Sequence, residues 1–173
     1  SKIEDKEYSL NDSVNLIKEI SSAKFDESVE IHLLTNADPK NADEQLRTVA
    51  DLPHGTGKQV KVLVFAEGGA AVSAKEAGAD FISDDEIVKN IEQGWQDFDV
   101  AIATPDQMSK IGKLGKFLGR KGLMPNPKTG TVVQPQNISQ AITASKKGRT
   151  EIKVDSSSVI HFNVGKASFS PDQ

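Results

Sequence analysis

The stretch QVKVLVFA (Gln59–Ala66), followed by GAAVSAKEAG (Gly69–Gly78), ADFIS (Ala79–Ser83), DDEIVKNIEQG (Asp84–Gly94) and FDVAIAT (Phe98–Thr104), decides the fold class. Its apolar runs are short and continuous, and each is followed by a segment of helical period, the pattern of a parallel sheet covered by helices. Ser83 and Glu86 have capping-box spacing, and Gly94 supplies a stop. In ATPDQM (Ala103–Met108), Thr104 is placed as an N-cap, Pro105 at the first helical position and Asp106 in the first turn.

Outward from this unit the period changes. Ser9 caps an expected amphipathic helix over LNDSVNLIKEI, with Leu10, Val14, Ile17 and Ile20 on one face. In AKFDESVEIHLLTN (Ala23–Asn36), Val29, Ile31 and Leu33 alternate with Ser28, Glu30 and His32, as in a strand with one face buried. NADPKNADEQLR (Asn36–Arg47) reads as a turn and a short helix, and ADLPHGTG (Ala50–Gly57) as a Pro- and Gly-rich connector. After the sheet unit, TVV (Thr131–Val133) is a short strand and NISQAITASKKG (Asn137–Gly148) a helix. RTEIKVD and SVIHFNVG read as two antiparallel strands joined at Ser156–Ser158. The organisation expected is α/β in two domains: residues 1–54 with 148–173, drawn from both chain ends, and an inserted parallel-sheet domain over 55–147.

Composition narrows the chemistry. The 173 residues are 36% hydrophobic and contain no cysteine, which excludes disulfides, thiolate zinc sites and thiol nucleophiles. No apolar run is long enough to cross a bilayer, and SKIEDKEYSL (Ser1–Leu10) is too acidic for a signal peptide, so no membrane partner is expected. His32, His54 and His161 lie far apart and form no HxxxH or HExxH pair, so no metal site and no catalytic triad is expected. HGTGK (His54–Lys58) misses the P-loop spacing, and the turn at Gly68–Gly69 lacks GxGxxG, so no nucleotide cofactor is expected. Asp84, Asp85 and Glu86 fit a helix first turn better than a metal site. Trp95 and Phe98 read as core packing, whereas Phe25, in a polar stretch beside Lys24, reads equally as a base stacker or a hydrophobic staple.

The net charge of −4 hides a block. Between Gln107 and Thr150 there is no acid, while Lys110, Lys113, Lys116, Arg120, Lys121, Lys128, Lys146, Lys147 and Arg149 supply nine cations. That block is where a polyanion would land. At about 100° per residue, Lys110, Lys113, Lys116 and Arg120 share one arc, and Met108, Ile111, Leu114 and Leu118 the other. In LGRKGLMPNPKTGTV (Leu118–Val132), glycines permit tight turns, Pro125 and Pro127 stiffen the path, and Leu123 and Met124 can tether it to the core. Arg120, Lys121 and Lys128 would then be held outward. The alternative reading is a small Rossmann-like enzyme whose basic loop closes over a phosphorylated ligand. It has no dinucleotide fingerprint, catalytic dyad or cofactor motif behind it.

GKLGKFLGRKGLMPNPKTGTV (Gly112–Val132) closely resembles the signature of the large-subunit ribosomal protein L-one family. AKFDESVEIH, ADLPHGTGK, AKEAGAD, GWQDFDVAIATPDQM and VIHFNVGKASF, in that order, extend the resemblance over nearly the whole chain, in its bacterial or organellar form. The resemblance implies a split α/β sandwich with an inserted Rossmann-like domain, no enzymatic activity, and a place on the ribosome of a bacterial cytoplasm or an organelle. It implies binding to large-subunit rRNA in the mobile stalk, proximity to exit-site tRNA whose release the stalk assists, contact with other ribosomal components, and repression through the protein's own messenger RNA. Carried over by position, it implies rRNA contacts at Lys24, Phe25, Ser28, Glu30, Asp155, His161 and Lys166. The tRNA-proximal surface would be Lys110, Lys113, Lys116, Arg120, Lys121 and Lys128. Arg120 stands where the family commonly has proline, and Ser156 where lysine is usual. The family continues beyond the equivalent of SFSPDQ (Ser168–Gln173) with a helix and a strand, so a trimmed chain or an incomplete first domain is expected.

Overall fold

A computed structural model describes residues 3–172; Ser1, Lys2 and Gln173, at the extremities of the outer segments assigned above, lie outside the described residues. The strands are β1 (Ser28–Leu34), β2 (Arg47–Asp51), β3 (Val62–Phe65), β4 (Phe81–Ile82), β5 (Val100–Ala103), β6 (Arg149–Lys153) and β7 (Val159–Lys166). The helices are α1 (Leu10–Ile20), α2 (Gly69–Glu76), α3 (Asp85–Glu92), α4 (Met108–Ile111), α5 (Gly115–Leu118) and α6 (Ile138–Lys146).

The central sheet is parallel, in the order β4-β3-β5. Thr131–Val133 joins the free edge of β5 through a single bridge, Ala103 to Val132, with the Val133 N–H donating to Ala103 O at 3.0 Å. Period two along β3 sends Leu63 and Phe65 to one face and Val62 and Val64 to the other. The first pair packs with Ile91 of α3 and with Ile111, Leu114 and Leu118; the second packs with Ala74 of α2 and with Ile138 and Ile142 of α6. The sheet is therefore covered on both faces, which is why its strands read as unbroken apolar runs. Trp95 lies edge-on to Phe81, with ring centroids 5.0 Å apart, and beside Phe98, which is buried, so both aromatics are core.

Local signals were partly displaced. The cap of α3 is Asp84, not Ser83: its Oδ1 accepts from the Ile87 N–H at 2.8 Å, so the helix starts one residue later than the Ser83–Glu86 spacing predicts. Thr104 holds the N-cap position with Pro105 after it, but its side chain makes no capping bond and is buried. The segment expected as one helix from Pro105 to Arg120 instead alternates 3-10 turns with α4 and α5. Gly112, Gly115 and Gly119, the weakest helix formers after proline, fall at the changes of pitch.

Strands at the chain ends complete the molecule. β1 pairs antiparallel with β7, and β2 with β6. The β2 segment overturns the short helix expected there: only a 3-10 turn forms, over Ala42–Glu44, and Arg47–Asp51 is a strand. β6 and β7 are likewise not a simple hairpin, for each pairs mainly with a distant strand and they share only the bridge Val154 to Ile160. α1 forms as expected from Ser9, whose Oγ accepts from the Asp12 N–H at 3.2 Å, yet none of its residues is buried. Leu10 is 76% exposed, and Leu33 and Leu34 of β1 are also exposed, so the buried face expected of β1 does not extend to Leu33. No helix of the described residues is long and apolar enough to cross a membrane.

The two chain passes between the sheet unit and the outer strands touch at glycine. Gly55 and Gly148 have φ of +71° and +105°, and a Cβ on Gly148 would lie 2.3 Å from the Gly55 Cα. Lys58, the lysine of HGTGK, is ion-paired with Asp99, which also accepts the Lys61 N–H at 3.0 Å.

Candidate nucleic-acid interface

The register of the β1–β7 ribbon puts widely separated residues on one face. Ser28 stands opposite Lys166, Glu30 opposite Asn163 and His32 opposite His161, with a bulge between Val29 and Glu30. Ser28, Glu30, His32 and His161 are exposed, and Lys166 donates from Nζ to Ser28 Oγ at 2.9 Å. The rings of His32 and His161 meet edge-on at 4.7 Å, and their Nδ1 atoms are hydrogen-bonded. Far apart in sequence, the two histidines are thus adjacent in space. His32 shares this face as the alternation with Ser28 and Glu30 predicts, whereas its pairing with His161, and the place of Asn163 opposite Glu30, follow only from the register.

Phe25 projects from the loop before β1 and is 73% exposed, which rejects the hydrophobic-staple reading. Lys24 beside it is exposed too. Their loop is anchored from below: the Asp26 carboxylate accepts from the Ser168 N–H at 3.0 Å and from Ser168 Oγ at 2.9 Å, and Lys166 Nζ donates to Asp26 O at 3.3 Å. An aromatic ring on an anchored loop next to a polar strand face is a platform on which an unstacked base can lie.

Asp155 closes the turn between β6 and β7. Its Oδ1 accepts from the Ser157 N–H at 2.8 Å and the Val159 N–H at 2.9 Å, while Oδ2 lies 3.3 Å from His161 Nε2. The Val159 and Ser157 N–H groups, and then His161, hold its carboxyl below the usual carboxylate range. Ser158 follows with φ +62°, the only non-glycine among the described residues in the left-handed region. Asp155 thus holds the turn and stands beside His161.

On the sheet unit, Ile111, Leu114 and Leu118 are buried, and Lys110, Lys113, Lys116, Arg120 and Lys121 are exposed, as the helical arc requires. Leu123 and Met124 pack against the Leu63 side of the core, so the loop is tethered. Pro125 is buried, and the Asn126 Oδ1 accepts from the Lys128 N–H at 2.8 Å, which starts a 3-10 turn ending at Gly130 with φ +66°. The cations of this surface are not equivalent. Lys110 is hydrogen-bonded to Glu67, which raises the lysine's pKa and lowers the glutamate's. Lys146 pairs with Asp80 at 2.9 Å and Arg149 with Asp51 at 3.6 Å. Lys113, Lys116, Arg120, Lys121 and Lys128 pair with no acid among the described residues, and they are the cations open to an incoming anion. Among the described residues no group of three or more His, Asp or Glu side chains converges to hold a metal.

The sequence has relatives among known proteins. It is 57% identical over 162 residues to the large ribosomal subunit protein uL1 of Dehalococcoides mccartyi, covering 94% of this chain and 68% of the relative. It is 51% identical over 168 residues to the protein of that name from Kosmotoga olearia, covering 97% and 72%. The corresponding figures for Fervidobacterium nodosum are 52% over 170 residues, 98% and 72%. The sequence profile of the ribosomal protein L1p/L10e family matches residues 17–173. The chain belongs to the ribosomal protein L1p/L10e family.

Proposed function

We propose that this chain is a non-enzymatic constituent of the large ribosomal subunit that binds large-subunit rRNA. The observation that carries the reading is the match to bacterial proteins each named large ribosomal subunit protein uL1. The geometry supports it with two unlike surfaces. The ribbon face, with Phe25, Lys24, Ser28, Glu30, His161 and Lys166, and with Asp155 orienting it, is shaped and polar. Such a surface reads a folded RNA by fit, hydrogen bonds and stacking. The surface from Lys110 to Lys128 is cationic and loosely specified, suited to the phosphates of exit-site tRNA.

In this reading the outer strands, residues 1–54 and 148–173, act as the rRNA-binding domain. The inserted unit, residues 55–147, acts as a movable arm that guides deacylated tRNA away from the exit site, beside other ribosomal components. The ribbon face would also take the chain's own messenger RNA where that RNA presents a similar fold, repressing translation. The site of action is the ribosome, in a bacterial cytoplasm or an organelle. The test is a titration against a stalk rRNA fragment and a scrambled hairpin at low and high salt. Preference for the stalk fragment that survives high salt is expected; equal and salt-labile binding to both would refute shape recognition by the ribbon.

A further inference from the structure

A cleft of about 590 Å³ lies between the two surfaces. One wall is Asn126 and Lys128 of the tethered loop; the other is Lys153, Val154, Asp155 and Ser156 at the end of β6; Pro39, Lys40, Leu46 and Arg47 close it. The loop turn Pro127–Thr129 packs directly on β2, so this wall is fixed against the strands. The cleft thus joins Lys128, on the cationic surface, to Asp155, on the ribbon side.

Its chemistry is uneven in a useful way. Lys40, Lys128 and Lys153 are exposed and pair with no acid among the described residues, while Arg47 is held by Glu151 at 2.6 Å. The one carboxylate in the lining, Asp155, is already occupied by two backbone N–H groups. Leu46, 46% exposed, offers an apolar patch between the lysines. Three unpaired ammonium groups around an apolar patch match a phosphate chain with an unstacked base. The volume falls within the roughly 300–1,000 Å³ of pockets that hold small ligands, enough for one or two nucleotides and too little for a duplex.

Resting on the RNA-binding reading above, we propose that this cleft takes a single-stranded RNA segment, with phosphates against Lys40, Lys128 and Lys153 and a base on Leu46, making the two surfaces one continuous path. A strand leaving a folded RNA on the ribbon would cross here to the basic loop.

The experiment uses the full chain and its Lys40→Gln/Lys153→Gln variant, with unchanged melting temperature as the check on folding. Each is titrated over a range of salt against two stalk rRNA fragments, one with a single-stranded extension and one without. The variant is expected to lose about 0.7 of salt slope for each phosphate contact removed, and only with the extended RNA. An unchanged slope with both RNAs would overturn the cleft proposal, and an equal loss with both would assign these lysines to folded RNA instead. Failure of the unaltered chain to prefer either fragment over a scrambled hairpin would sink the RNA-binding reading itself, and the cleft with it.

Discussion

In the function proposed, single residues carry the specificity of the ribbon. Phe25 spends its apolar surface on solvent while an anchored loop holds it there, an arrangement with no benefit to folding. Phe25→Ala should leave the melting temperature within a degree or two and remove a stacking contact worth ~1–3 kcal/mol, which equilibrium binding to the stalk fragment would register. Asp155 predicts a pH effect of known sign. Its carboxyl is held below the ordinary range, so its contribution is fully present above the unfolded carboxylate pKa and fades as pH falls through the lower, folded value. The Ser157 and Val159 amide resonances should therefore stay put through the usual carboxylate range and move only in stronger acid; movement at the ordinary carboxylate pKa would show that the turn is not built on Asp155. At this scale the sequence was readable where chemistry is local and opaque where it is not. Met124 and Leu123 could be identified as tethers from their place in a stiff basic loop. His32 could not be joined to His161, because 129 residues separate them and only strand register closes that distance.

At the scale of elements, the parallel sheet was legible because burial on both faces writes a continuous apolar run. β2 was not. RTVAD holds only Val49 and Ala50 as apolar residues, both half-buried, and its partner strand lies a hundred residues downstream. The broken helix from Pro105 to Lys121 preserved the expected division of faces although its pitch changes, because Ile111, Leu114 and Leu118 still reach the core. Leu118→Ala should cost ~2–5 kcal/mol, since the residue is fully buried beneath the loop that Leu123 and Met124 tether; chemical denaturation would measure it, and a cost below ~1 kcal/mol would contradict that role. The unequal cations make a second expectation. Lys113→Ala/Lys116→Ala should flatten the salt slope for tRNA, whereas Lys110→Ala should change it less, because Glu67 already holds that ammonium.

At the scale of the molecule, the sheet divides the acid-free run: Lys113, Lys116, Arg120, Lys121 and Lys128 follow the segment that covers the Leu63 face, while Lys146 belongs to α6 on the opposite face and is held by Asp80, so a chain with net charge −4 still keeps one group of unpaired cations together. Two chain passes connect the sheet unit to the outer strands, and they touch at Gly55 and Gly148. Gly148→Ala must fail twice there, through a left-handed φ and a Cβ driven into the Gly55 backbone. Destabilisation above ~1 kcal/mol is expected, and calorimetry would test it. The function proposed divides the labour: a shaped ribbon would select the RNA, and an open cationic surface would add a salt-sensitive grip. The most direct test measures, at high salt, the ratio of affinities for the stalk rRNA fragment and a scrambled hairpin, for Phe25→Ala and for Lys113→Ala/Lys116→Ala/Lys121→Ala. The account predicts that Phe25→Ala lowers the ratio severalfold and the triple variant leaves it unchanged; a ratio lowered by the triple variant and untouched by Phe25→Ala would contradict it.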